Sequence, residues 1–180
     1  QPTTAAEASR TAAVKLAQDS DVVVAVLGDN LQTSAEWGDR DSLDIPGDQL
    51  SLLAALTATS TPVVVVLLTG RTATFGPGNQ LLSNVSAVFS AFRPGQMGAR
   101  AIANLLLGDA NPSGRLAQNW VRAAGQAMSG ASPWLQWRVG KWVANSRGPP
   151  PDPDGRRYDN YNEDEATPLF HFGHGLSYSS

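Results

Sequence analysis

Two kinds of apolar pattern alternate along the chain. Ala5 to Gln18 is rich in alanine, carries Val14 and Leu16, and contains no glycine or proline, so it reads as a helix. Val22 to Leu27 is then an unbroken apolar run, mostly β-branched, as expected of a strand buried on both faces. Ile45-Pro46-Gly47-Asp48 leads into a second helix, Gln49 to Thr57, and Pro62 introduces a second buried strand, Val63 to Leu68. A short helix is expected near Gln80, a weaker strand over Val85 to Phe89, and a helix over Gln96 to Leu107. In that last helix Ala101, Ile102, Leu105 and Leu106 form an apolar stripe. Helices alternating with short, wholly apolar strands imply βαβ units and a mostly parallel sheet. Function in such sheets gathers in the loops beyond the carboxyl ends of the strands. Three loops lie there: Asp29 to Asp44, Thr69 to Gly78, and Phe92 to Gly98.

Past about Gly125 the periodicity fades. Pro133, Pro149, Pro150, Pro151 and Pro153 punctuate a long irregular stretch, and apolar, aromatic character returns only in Pro168 to Tyr178. The 180 residues are therefore expected to form a single domain over 1–180. It has a core at about 5–120, an irregular segment at about 121–166, and a closing segment, 167–180, that docks on the body.

Charge and composition narrow the function classes. The net charge of -3 and pI near 5.2 argue against a nucleic-acid partner, which usually needs a basic face. No run approaches the roughly 20 apolar residues that span a bilayer, so no membrane partner is expected. With no cysteine, a disulfide framework, a thiolate metal site and a cysteine nucleophile are all excluded. His171 and His174 stand three apart in a glycine-rich stretch and read as packing residues rather than ligands. No metal site and no cofactor are assigned.

The densest chemistry lies in Ala35-Glu36-Trp37-Gly38-Asp39-Arg40-Asp41, which gathers three carboxylates, a guanidinium and an indole. Carboxylates and arginine hydrogen-bond hydroxyl groups, and an indole face stacks on the C–H face of a sugar ring. A glutamate beside an indole can also be tuned by desolvation toward general-acid work. A solvated loop held by an Asp–Arg pair uses the same residues. Trp120, Trp134, Trp137 and Trp142 likewise read either as a sugar-stacking platform or as core and interface residues.

Five ordered blocks carry a resemblance. The first comprises Gly28, Glu36, Gly38-Asp39-Arg40, Leu43, Ile45-Pro46-Gly47 and Gln49, and the second is Gly70-Arg71. They are followed by Arg93-Pro94-Gly95-Gln96-Met97-Gly98, by Leu107 through Leu116, and by Phe172-Gly173-His174-Gly175-Leu176-Ser177-Tyr178. In this order they resemble the C-terminal domain of family 3 glycoside hydrolases. The resemblance implies a three-layer α/β/α sandwich with a mostly parallel sheet. It is truncated at its N-terminal edge, because the family's opening strand and glycine turn have no counterpart before the first helix. The resemblance also implies a retaining, exo-acting β-glycosidase of β-glucosidase or β-xylosidase type, acting on a β-linked glucoside or oligosaccharide. Glu36 aligns with the family's general acid/base. Trp37, Asp39 and Arg40 would bind substrate or brace the loop.

The catalytic TIM barrel, which supplies the nucleophilic aspartate in this family, is absent from these residues. An N-terminal barrel domain or chain is therefore the implied partner, and the isolated chain is expected to be inactive. An extracellular or secretory location follows from family habit alone. Ser34 stands where many relatives carry a second glutamate, Thr72 where the family has Pro after Gly-Arg, and Ala117 where Pro follows Arg-Leu. These departures keep an alternative open: a non-catalytic carbohydrate-binding or scaffold domain derived from that family.

Overall fold

Two valine-rich runs meet side by side in the computed structural model, which describes residues 4–37, 40–124 and 168–179. By contacts the chain divides into one unit of Gln1–Arg40 with Asp44–Ile102 and another of Asp41–Leu43 with Ala103–Ser180.

The first unit opens with α1, Thr4–Gln18, whose Glu7 lies in the first turn and Lys15 in the last, each matching the sign the helix macrodipole favours. β1, Val23–Gly28, follows, then α2, Gln49–Thr57, and β2, Val63–Leu68. Pro77–Asn84 forms short 3-10 turns on either side of a kink at Gly78 and Asn79, leading to β3, Ala87–Ser90. α3, Gly98–Leu107, begins in this unit and ends in the second. The described residues build a three-stranded parallel sheet in the order β1-β2-β3. Val23 pairs with Val63 and Gly28 with Leu68, while Val64 pairs with Ala87 and Leu67 with Ser90. This is an α/β fold with a parallel sheet.

The core follows β2. Val63, Val65, Val66 and Leu67 are buried, as are Leu53 and Leu56 of α2, Ile45, and Phe75 in the loop after β2. Each such side chain contributes about 1.5–3 kcal/mol by leaving water. α2 packs against α1, β1 and the 3-10 segment. Thr61 Oγ1 donates to the Ala17 carbonyl at 2.8 Å, tying the approach to β2 to the end of α1.

β1 differs from its expectation. Ala25 and Leu27 are buried, but Val24 is 46% exposed and Val26 59%. Val24 and Val26 share the face opposite Ala25 and Leu27, and among the described residues that face of this edge strand is left open. Among the described residues no helix is long and apolar enough to cross a membrane.

In the second unit the closing segment runs antiparallel to residues 116–120. Leu116 N–H donates to His174 O at 2.9 Å, Gly173 N–H to Leu116 O at 2.8 Å, and Trp120 N–H to Phe170 O at 2.8 Å. Asn119 Oδ1 accepts Phe172 N–H at 2.7 Å, and the Phe170 and His174 rings stack with centroids 4.6 Å apart. Trp120 is buried here, as a core tryptophan rather than an open platform. Trp134, Trp137 and Trp142 lie outside the described residues, as does almost all of the irregular segment. Two of the sequence blocks explain each other in this unit. Asn111 Oδ1 accepts Tyr178 N–H at 2.7 Å, its Nδ2 donates to Ser179 Oγ at 3.0 Å, and the Tyr178 hydroxyl donates to Leu105 O at 2.7 Å.

Candidate functional site

The parallel strands bring the loops after β1, β2 and β3 to one end of the sheet. The register sets what meets there. Gly28 pairs with Leu68, so the next residues, Asp29 and Thr69, emerge side by side. Thr69 Oγ1 donates to Asp29 Oδ2 and accepts Arg71 N–H at 3.2 Å. The Asp29 side chain is only 5% exposed, and two guanidinium groups compensate its charge: Arg40 Nη1 at 3.7 Å and Arg71 Nε at 4.0 Å. A carboxylate buried this far needs such partners, since desolvation alone costs several kcal/mol.

Gly28 is held by a side chain. Gln49, at the start of α2, accepts Gly28 N–H through Oε1 at 2.8 Å and donates through Nε2 to Gly28 O at 2.9 Å and Pro46 O at 2.8 Å. Its carboxamide does for Gly28 what a neighbouring strand would do, at the edge where β1 has none. Gly28 itself has φ +152°, and a Cβ there would lie 1.8 Å from Leu68 O. That same oxygen accepts Asp29 N–H at 2.9 Å, so the crossing leaves room only for hydrogen.

Beyond Asp29 the chain turns on Asn30, whose Oδ1 accepts the N–H groups of Gln32 at 2.9 Å and Thr33 at 3.1 Å. Ser34 follows, then Ala35, Glu36 and Trp37. Glu36 is exposed and Trp37 is 89% exposed, so both present their side chains outward from the tip. Asp39 lies outside the described residues. Arg40 spans the returning limb, donating through Nη2 to Asp44 O at 2.7 Å while facing Asp29. Asp44 Oδ1 accepts Thr74 Oγ1–H at 2.6 Å and Gly76 N–H at 3.2 Å, fastening the loop's far end to the loop after β2.

An exposed glutamate and indole, carried on a loop whose two limbs are anchored to a buried carboxylate, can offer a proton and a flat apolar face to a partner surface. Asp29, Thr69 and Gln49 carry the architecture, and reading the residues one segment at a time assigned them no role. Aligned end for end, the two apolar runs read from sequence, Val22–Leu27 and Val63–Leu68, would set Asp29 beside Gly70; the observed register is shifted by one residue and brings it beside Thr69.

Residues 3–178 match the family model described as Glycosyl hydrolase family 3 C-terminal domain. The chain belongs to this family. A beta-xylosidase of Formosa agariphila is 34% identical over 168 residues, covering 93% of this chain and 21% of the relative. A periplasmic beta-glucosidase of Salmonella typhimurium is 35% identical over 171 residues, covering 93% and 20%. Among solved structures, a beta-glucosidase from Listeria innocua in complex with glucose superposes with a TM-score of 0.76 at 26% identity, covering 100% of this chain and 23% of the other. A beta-glucosidase from Erythrobacter marinus superposes with a TM-score of 0.73 at 37% identity, covering 99% and 22%. This family 3 C-terminal domain thus spans about a fifth of the length of the relatives it matches.

Proposed function

We propose that this domain serves a retaining, exo-acting β-glycosidase in which Glu36 is the general acid/base and an N-terminal TIM barrel supplies the nucleophilic aspartate. The observation that carries the reading is the place of Glu36. It stands exposed at the tip of an anchored loop beyond the carboxyl end of β1, in a chain of this family.

In the first step the barrel aspartate attacks the anomeric carbon while Glu36 gives its proton to the glycosidic oxygen. The C–O bond breaks and the aglycone leaves as an alcohol. In the second step the Glu36 carboxylate takes a proton from water, whose oxygen displaces the aspartate and returns the sugar as a hemiacetal. The two carboxyl groups need a separation of roughly 5–5.5 Å. Trp37 offers its open indole face to the sugar or aglycone, Asp39 binds hydroxyls or braces the loop, and Arg40 braces it.

Both glucosidases and xylosidases stand among the relatives, and a β-linked glucoside is the substrate class we assign. We assign the enzyme to an extracellular or secretory location by the family resemblance.

The test pairs two leaving groups. With the barrel present, Glu36→Gln should lower kcat/KM on an alkyl β-glucoside by about 10²–10⁴ while sparing kcat/KM on a dinitrophenyl β-glucoside, whose leaving group needs no proton. Azide should rescue Glu36→Ala as the glycosyl azide. Equal losses on both substrates would remove Glu36 from the role. Turnover by the 180-residue chain alone would remove the need for the barrel. Full activity of Glu36→Gln would favour the scaffold reading.

A further inference from the structure

The loop that carries Glu36 is gripped from two other strands. Arg71, just after β2, reaches the backbone through Nη2, donating to Thr33 O at 3.1 Å while its Nε faces the buried Asp29. Arg93, just after β3, donates through its own Nη2 to Ser34 O at 3.3 Å and to Ser34 Oγ. Consecutive carbonyls of one loop are thus held by guanidinium groups from two different strand ends.

The path of Arg93 depends on Gly70. A Cβ at that position would come within 2.8 Å of Arg93 Nε and 3.1 Å of its Nη2, so the guanidinium lies across a residue that has no side chain. Glu36 follows Ser34 by two residues, so its Cα is at most about 7 Å further along the chain. Leu31 and Trp37, the large apolar residues near its tip, are both exposed and do not anchor it. What holds it is polar: Asn30 and Arg40 from within the loop, Arg71 and Arg93 from outside it.

We infer that Arg71 and Arg93 are positioning residues that set where Glu36 stands, with Asp29 as the fixed point against which Arg71 is braced. This rests on the acid/base reading of Glu36 for its catalytic consequence, and on the hydrogen bonds alone for its structural one. Lysine does not replace Arg71, because one ammonium group cannot face Asp29 and reach Thr33 O in the same fork geometry. Displacing a proton donor by about 1 Å costs on the order of a hundredfold in rate.

The experiment uses the enzyme with its barrel and the variants Arg93→Met, at an exposed position where loss of folding is least expected, and Arg71→Lys. Two readouts are taken: amide hydrogen exchange of peptides covering 29–44, and kcat/KM on alkyl against dinitrophenyl β-glucosides. Both variants should speed exchange in 29–44 while β2 stays protected. Each should also lower kcat/KM on the alkyl glucoside by roughly 10- to 100-fold, with kcat/KM on the dinitrophenyl glucoside little changed. On a Glu36→Gln background the same substitutions should add nothing further.

Unchanged exchange in 29–44 overturns the inference, whatever the activity. Faster exchange with unchanged kcat/KM on the alkyl glucoside overturns its catalytic half when Glu36→Gln does discriminate the two leaving groups. If Glu36→Gln fails to discriminate them, the acid/base reading itself has fallen, and faster exchange then leaves the arginines as loop anchors only.

Discussion

β1 and β2 are nearly the same sequence. One reads Val-Val-Ala-Val-Leu-Gly, the other Val-Val-Val-Val-Leu-Leu, and they pair residue for residue. Their surroundings are not the same. β2 lies between two strands and buries Val63, Val65, Val66 and Leu67, whereas β1 lies at the edge and leaves Val24 and Val26 about half open. Apolar, β-branched composition therefore marks a segment as strand but does not report its depth. Depth is a property of the neighbours. β1 also ends differently: Gly28 and the Gln49 carboxamide finish it, while β2 runs on through Thr69 into the polar cluster around Asp29.

The sharpest way to break the pairing is at its end. Gly28→Ala should cost on the order of 3 kcal/mol or more, because its Cβ would overlap Leu68 O and its φ is one that side chains avoid. Chemical denaturation would read the loss. Next comes the central strand: Leu67→Ala, at a fully buried position, should lower stability by about 2–5 kcal/mol in the same assay. Gln49→Leu should cost about 1–3 kcal/mol by stranding the N–H and C=O of Gly28. Gln49→Glu should recover only part of it, since a carboxylate accepts the N–H but donates nothing to the carbonyls. The smallest effect belongs to the open face of β1. Val26→Thr should change stability by no more than about 0.5 kcal/mol. A loss as large as that of Leu67→Ala would show the second face of β1 covered as fully as β2.

The elements were legible because local chemistry specifies them. Helix α2 and strand β2 run over the residues their patterns predict, and α1 and β1 depart by a residue or so at their ends. β3 was less clear: Val85 is extended, Ser86 N–H donates to Val63 O at 2.8 Å, and the ladder proper begins at Ala87. The loop around Glu36 was also legible as a place, since seven residues there concentrate the charge. Its anchors were not. Thr69 reaches Asp29 across 40 positions of sequence and Arg93 reaches Ser34 across 59, and no periodicity within one segment encodes contacts made at the ends of three. The Asn111 pairing with Tyr178 was hidden for the same reason, although both blocks were conspicuous separately.

The Gln49 carboxamide also acts as a ruler. Val23 N–H and Asp29 N–H both point toward β2, donating to Pro62 O and Leu68 O, so the odd-numbered residues of β1 face inward and the even-numbered ones outward. Of the outward positions, Gly28 is already spoken for by Gln49. Any strand laid along that edge finds hydrogen-bonding positions at Val24 and Val26 and then meets a side chain that has taken the next one. An open edge is a template for indiscriminate pairing. This one has a fixed stop, and the stop decides both the reach and the register of whatever strand pairs there.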